Sequence, residues 1–313
     1  MGMVIIKKQK DHNKVLITGS SGFLGRYILN TFIKFGDELK TVGRKSTNDF
    51  QWDLSENTID LTSTIYDIVV HCAGKAHMTP NSEEEKEEFY NINVRGTENL
   101  LKSLNDLKIK PKAFVFISSV AVYGLVSGNL INEESSLKAT DSYGHTKIIA
   151  EKIIQLWCKE NKVICSILRL PLIAGSFPLG NLKKMINGIR RGYYVNIDGG
   201  KAKKSMVLAE DVANFIPIVS YLGGIYNLTD GQHPNFSNLS KHIADNLGKR
   251  HPYNIPKYFA FILSKIGDLI GNKFPINSDK LLKITSDLTF DDSKARRLAN
   301  WNSTPVLDGF KVL

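Results

Sequence analysis

Thr18-Gly19-Ser20-Ser21-Gly22-Phe23-Leu24-Gly25 lies between a short β-rich run, Val15-Leu16-Ile17-Thr18, and a stretch with helical apolar spacing. Leu24, Ile28, Phe32 and Phe35 recur at helical intervals, and Gly36 stops the pattern. Strand, glycine turn and helix form one unit, and similar units follow it. Leu39 to Val42 is the next strand, then Asp67 to His71, Ala113 to Ile117 and Val163 to Leu170. Between them, an acidic start at Glu83 to Glu88 opens a helical region running through Asn93 to Leu107, and a second helix covers about Tyr143 to Lys159.

This alternation argues for a parallel sheet with helices on both faces. The strands are almost continuously apolar, as expected when both faces of a sheet are covered. The fold class is α/β, a Rossmann-type doubly wound parallel sheet with a smaller C-terminal substrate-binding domain. Residues 1–170 are assigned to the dinucleotide-binding domain. After Pro171, glycine, proline and asparagine become more frequent, so 171–313 is assigned mainly to the substrate-binding domain. Parts of 205–227 are candidates to return to the main sheet. The apolar stretch Tyr258 to Ile270 suggests two fates, docking on a membrane surface or packing on the small domain's core. Core packing is the expectation, because Lys265 and Asp268 leave only one polar edge.

At 313 residues the chain fits one large domain or two joined ones, with room for a sizeable core. Its 42% hydrophobic and 23% charged content is that of a globular protein, and no apolar run reaches bilayer-spanning length. The Val4-Ile5-Ile6 run of Met1 to Lys14 precedes its lysines, the wrong order for a secretion signal. Cys72, Cys158 and Cys165 are an odd count without a CxxC pair. They fit reduced thiols, and a cytoplasmic location is the expectation. The net charge of +10 includes Lys201-Ala202-Lys203-Lys204, but the basic residues are spread out, with no nucleic-acid motif. A basic surface that attracts small anionic ligands is preferred over a nucleic-acid partner.

Three motifs carry chemistry. The glycine turn lets the backbone approach a pyrophosphate against a helix N-terminus. In Tyr143-Gly144-His145-Thr146-Lys147 the phenol and ammonium share one helix face, so the cation is expected to lower a phenol pKa that is ordinarily about 10. In Phe116-Ile117-Ser118-Ser119-Val120-Ala121-Val122-Tyr123-Gly124 serines end a strand, where an open parallel sheet binds its ligands. Taken in this order, the motifs resemble the extended short-chain dehydrogenase/reductase family, NAD-dependent epimerase/dehydratase (nucleotide-sugar epimerase/4-keto reductase) branch. His71-Cys72-Ala73-Gly74, Asn93-Val94-Arg95-Gly96-Thr97, Gly180-Asn181-Leu182 and Asp291-Asp292-Ser293-Lys294-Ala295 extend the resemblance over nearly the whole chain.

The resemblance implies a catalytic triad of Ser119, Tyr143 and Lys147. Tyr143 would exchange a proton with a sugar oxygen, Ser119 would orient that oxygen, and Lys147 would hold the nicotinamide ribose. Gly19, Ser21, Gly22, Phe23, Leu24 and Gly25 would cradle the pyrophosphate. Asp53 and Leu54 would contact adenine, with Cys72, Ala73 and Gly74 also lining the cofactor. Asn181, Leu182 and Lys204 are assigned to the substrate with Ser119 and Tyr143, and Asn93 is left to helix packing. The resemblance also implies a homodimer.

Departures from the family pattern narrow the reaction. Ser118-Ser119-Val120 stands where a dehydratase carries Thr-Asp-Glu, so no carboxylate is at hand to eliminate water. Val42-Gly43-Arg44-Lys45 lacks the aspartate of NAD-preferring relatives, and its arginine and lysine favour a 2′-phosphate, placing NADP(H) ahead of NAD(H). Leu172 aligns where many epimerases carry asparagine. The resulting expectation is an oxidoreductase acting at C4 of a nucleotide-diphosphate sugar, reducing a 4-keto-6-deoxy sugar. The alternatives are a nucleotide-sugar 4-epimerase with tightly bound NAD and, further off, a non-catalytic dinucleotide-binding or RNA-binding protein on the same fold.

Overall fold

The computed structural model describes residues 12–76, 80, 82–270 and 276–312; the Val4-Ile5-Ile6 run lies outside them. In the first half the strands are β1 Lys14–Thr18, β2 Glu38–Gly43, β3 Phe50–Gln51, β4 Ile68–His71, β5 Ala113–Ser119 and β6 Gly128–Ile131. The helices there are α1 Phe23–Phe35, α2 Glu83–Tyr90, α3 Gly96–Asn105 and α4 Ser142–Asn161. The second half contains β7 Ile164–Leu170, β8 Leu172–Ala174, β9 Val195–Ile197, β10 Met206–Leu208, β11 Gly224–Asn227, β12 Tyr253–Ile255 and β13 Leu288–Phe290. Its helices are α5 Gly180–Arg190, α6 Ala209–Val219, α7 Phe236–Asn246, α8 Lys257–Ile270, α9 Ser278–Thr285, α10 Ser293–Ala299 and α11 Val306–Gly309.

Seven strands make one parallel sheet in the order β11-β7-β5-β4-β1-β2-β3. The chain runs outward from β1 to β3, then crosses back and continues outward from β4 on the other side. The reversal between β1 and β4 opens the crevice in which doubly wound sheets bind ligands. Successive strand residues point to opposite faces. Val15 and Ile17 enter one core with Ile28, Phe32 and Val212, and Leu16 enters the other with Leu100, Phe114 and Trp157. This two-sided burial explains why the strands lack alternation.

Local chemistry sets the helix ends. Gly36 ends α1 in the left-handed conformation (φ 77°), and its N–H reaches the Ile33 and Phe32 carbonyls. The Asp141 side chain caps α4 by accepting from the Gly144 N–H at 3.0 Å. The helical region after Glu83 is interrupted: a π-helical turn, Asn91–Arg95, joins α2 to α3.

Behind the sheet a buried ion pair clamps α4. Arg169 of β7 meets Glu151 of α4 at 2.7 and 3.1 Å, their side chains only 3% and 1% exposed. Glu151 also accepts from the Ser118 hydroxyl at 2.5 Å, and Arg169 donates to the Tyr123 hydroxyl at 3.1 Å. Tyr123 in turn donates to Asn227 of β11 at 2.8 Å.

Beyond Pro171, Ala174, Leu182, Met185, Ile189, Ile243 and Phe310 share a separate cluster, crossed by the small parallel pair β8–β10. Helix α8 departs from the sequence expectation of core packing. It buries only Ala260, Ser264 and Gly267, and its large apolar residues face outward. The inward stripe consists of small residues, and α9 is in contact with the helix.

Removing the carboxylate from the buried clamp leaves the guanidinium uncompensated. Glu151→Ala is predicted to lower the unfolding free energy by about 3–5 kcal/mol. Urea denaturation followed by circular dichroism checks this; an unchanged midpoint would mean that the pair contributes nothing.

Candidate active site

The glycine turn sits where β1 meets the crevice. Gly19 has φ 73°, and a Cβ there would lie 2.7 Å from the Ala73 backbone nitrogen. A Cβ on Gly25 would lie 2.1 Å from the Gly19 carbonyl oxygen, so α1 can start this close to β1 only with glycine at that position. Gly22 gives α1 no capping side chain, and its first turn contains no acid. The exposed helix N-terminus is left to attract an anion. These features fit a dinucleotide pyrophosphate. Ser21 lies half-buried in the turn, while Phe23, Leu24 and Gly25 begin α1. The Ser20 hydroxyl donates to Asn48 at 2.8 Å, and Asn48 donates to the Lys45 carbonyl at 2.8 Å, tying the turn to the loop after β2. In that loop the side chains of Arg44 and Lys45 are exposed. Asp53 accepts from the Ser55 N–H and hydroxyl at 3.0 and 2.6 Å, and Leu54 is buried beneath it.

The structure brings Ser119, Tyr143 and Lys147 together at the carboxyl ends of β4 and β5. Ser119 is the last residue of β5, and its hydroxyl accepts from the Ala121 N–H at 3.1 Å. Its side chain also shares a hydrogen bond with the Tyr143 phenol, in the first turn of α4. One turn further, the buried Lys147 Nζ donates to the Ile117 carbonyl at 2.8 Å and lies 4.4 Å from the centre of the Phe116 ring. Gly74, after β4, faces the same amine: a Cβ there would come within 3.5 Å of Nζ. Cys72 and Ala73 complete that loop, half-buried.

Electrostatics here depart from the sequence expectation. Burial pushes the Tyr143 phenol up to about 12, only partly opposed by Ser119. Burial likewise lowers the Lys147 ammonium to about 8, with Cys72 and Glu151 pulling the other way. The amine is directed at the Ile117 carbonyl, and desolvation dominates the shift of the phenol. The Cys72 thiol is pushed up to about 11 by burial, so it is no thiolate at neutral pH. His71 is held neutral by burial, its pKa lowered to about 3, and bridges Thr18 and Thr97 at 2.7 and 3.0 Å.

Asn93, left to helix packing in the sequence, makes polar contacts that join neighbouring segments. It is buried in the π-helical turn. Its Oδ1 accepts from the Lys75 N–H at 2.7 Å, while Nδ2 donates to the Lys75 carbonyl at 3.1 Å and to Thr146 of α4 at 3.0 Å. One amide thereby fixes the loop after β4 against the helix that carries Tyr143 and Lys147. The Asn-Val-Arg-Gly-Thr run contains no hint of the π turn that aims it.

The remaining assignments scatter more. Asn181 is exposed in the first turn of α5, next to Gly180 (φ 61°). The Leu182 side chain is buried in the smaller core, which leaves only its backbone for a ligand. Lys204 Nζ donates to the Ser286 carbonyl at 2.9 Å, and burial lowers its pKa to about 8. Among the described residues, no helix is long and apolar enough to cross a membrane and no group of His, Cys, Asp and Glu is placed to hold a metal.

Comparison with known proteins agrees with this geometry. The chain is 25% identical to the N-acetyl-alpha-D-glucosaminyl-diphospho-ditrans,octacis-undecaprenol 4-epimerase of Escherichia coli O157:H7, over 90% of this chain and 88% of that protein. It is 26% identical to the UDP-glucose 4-epimerase of Vibrio cholerae, over 97% and 95%. The fold matches the crystal structure of Thermotoga maritima UDP-glucose 4-epimerase with a TM-score of 0.73 at 18% identity, covering 95% of this chain and 96% of that one. The model of the NAD dependent epimerase/dehydratase family matches residues 15–227. The chain therefore belongs to the NAD dependent epimerase/dehydratase family, enzymes of the extended short-chain dehydrogenase/reductase type.

Proposed function

We propose that the protein reduces a C4 ketone on a sugar diphosphate, with Ser119, Tyr143 and Lys147 as its catalytic residues. The observation that carries this reading is the convergence of Ser119 at the end of β5 with Tyr143 and Lys147 on one face of α4. At neutral pH the phenol carries the proton a ketone oxygen needs, while a pKa above the ordinary value makes it a weaker acid until a nearby cation lowers it. Bound nicotinamide supplies the hydride. As C4 receives it, the carbonyl π electrons move to oxygen, and that oxygen takes the Tyr143 proton. Ser119 orients the oxygen, and the neighbouring Lys147 cation stabilises the phenolate left behind. The absence of a carboxylate at Ser118-Ser119-Val120 argues against dehydration.

NADP(H) is the proposed cofactor, on the ground that Arg44 and Lys45 stand exposed directly after β2. Residues 1–170 together with β11 are proposed as the dinucleotide-binding part, and the rest of 171–313 as the cover for the substrate. Asn181 is the proposed diphosphate contact, with the Leu182 backbone beside it, and Lys204 the proposed nucleotide contact. A homodimer through α3 and α4 fits the exposed Leu156 on α4, and three free cysteines suit a reducing cytoplasm.

A second reading, C4 epimerisation, is favoured by the two relatives above, which bear that name and align over 90% or more of this chain. In it Tyr143 acts first as base and then as acid. The group beyond the diphosphate is a nucleoside in the Vibrio relative and a polyprenol in the Escherichia relative, and either is admissible here.

Purified protein mixed with a UDP-4-keto-6-deoxy sugar and NADPH is expected to consume NADPH in equal amount to ketone, and NADH more slowly. Interconversion of UDP-sugars without added cofactor would overturn reduction in favour of epimerisation. Tyr143→Phe should still bind dinucleotide yet turn over about a thousand-fold more slowly; full activity would remove the proposed acid.

Lys147 gives a separate prediction. Its amine titrates near 8 in the folded protein against an ordinary 10.5, so between these values the unfolded chain binds more protons. Stability should rise as pH climbs from about 8 to 10.5, and below 8 the full penalty is present. Lys147→Met is predicted to flatten this rise, stabilise the protein at pH 7 and abolish turnover. Thermal melts across pH check it; a variant with the parent's pH profile would contradict the assignment.

A further inference from the structure

We infer that the outer face of α8 docks the protein on an anionic lipid bilayer. A helix on the surface of a globular protein normally turns its large apolar residues inward. Helix α8 does the reverse: Ala260, Ser264 and Gly267 are its buried residues. Leu269 is 89% exposed, Tyr258 70% and Phe259 59%, with Phe261, Ile262 and Ile266 also exposed. Tyr253 on the preceding β12 and Leu282 on α9, which packs against α8, are exposed as well. A contiguous patch of this kind marks an interaction site.

The charge around the patch selects the occupant. Lys249, Arg250, Lys257, Lys280 and Lys283 are exposed along this stretch of chain, against Asp279, while Lys265 and Asp268 pair with each other. Asp268 is already engaged by Lys265 at 3.6 Å and by the Ser278 hydroxyl at 2.6 Å. Apolar side chains within a basic surround are the composition of a helix lying in a membrane interface, and tyrosine suits the headgroup level. Each lysine near an anionic surface adds about 1 kcal/mol of attraction, which screening by salt removes. A second copy of the chain would bring the same basic surround against itself, which disfavours self-association through this face. With no helix among the described residues fit to span a bilayer, the attachment is peripheral. The inference holds for either reading of the reaction and does not depend on the substrate.

Sedimentation of the full chain with vesicles of phosphatidylcholine and phosphatidylglycerol in equal parts tests it. The protein should pellet with these vesicles and far less with pure phosphatidylcholine, and raised salt should release it. Phe259→Asn, Ile266→Asn and Leu269→Asn combined should weaken partition more than ten-fold, by about 1.4 kcal/mol or more. Lys257→Glu with Lys283→Glu should weaken it through charge alone. All five positions are exposed, and circular dichroism with a dinucleotide-binding titration confirms that the variants fold. Parent protein that stays in the supernatant, or triple variant that pellets like the parent, would overturn the inference. So would a dimer in analytical ultracentrifugation that the triple variant breaks while neither protein binds vesicles.

Discussion

A single buried ammonium organises the carboxyl edge of the sheet. Lys147 is carried on α4 into a space lined by strand ends, where the Ile117 carbonyl and the face of Phe116 receive its charge. Burying a cation this way is unfavourable, and the lowered affinity for its proton records the fact. The surrounding chain is arranged to tolerate it. Tyr143, Lys147 and Glu151 recur at four-residue intervals, and each meets the end of β5: Tyr143 at Ser119, Lys147 at Ile117, Glu151 at Ser118. The one stripe of α4 thus holds the proposed acid, the amine and the clamp that fixes the helix.

Two further devices complete the setting. The Gly19–Gly25 turn lets α1 begin almost in contact with β1, and Gly19 packs against the Ala73 backbone of the loop that also contains Gly74. Asn93 then ties that loop to Thr146 on α4. Cofactor cradle and proposed acid are thereby linked through one loop and one amide. The crevice between β1 and β4 follows from strand order alone, whereas the distances inside it depend on these polar contacts.

Much of this was legible in the sequence because it follows from short-range rules. Apolar runs bounded by glycines locate the sheet, and helical spacing locates α4, without knowledge of tertiary structure. The Tyr143–Lys147 spacing likewise announces a shared face. What the sequence concealed depends on burial, which spacing does not report. The phenol was expected to be acidified by its lysine, yet desolvation of both groups dominates. Asn93 looked like helix packing because a π turn, not a regular helix, aims it. Leu182 looked like a ligand contact, and its side chain fills the smaller core. Helix α8 looked like core because an apolar face says nothing of what covers it; its small residues turned out to be the ones that pack inward. The edge strand Phe50–Gln51 is too short for any pattern to mark.

The central claim concerns where the reactive ring of the cofactor lies relative to the α4 stripe. A crystal structure of the protein with bound NADP tests it most directly. The account predicts the nicotinamide ribose within hydrogen-bonding distance of Lys147 Nζ, the ring facing the Tyr143 hydroxyl, and the pyrophosphate over the start of α1. A ring held elsewhere in the crevice, beyond reach of Tyr143 and Ser119, would contradict it.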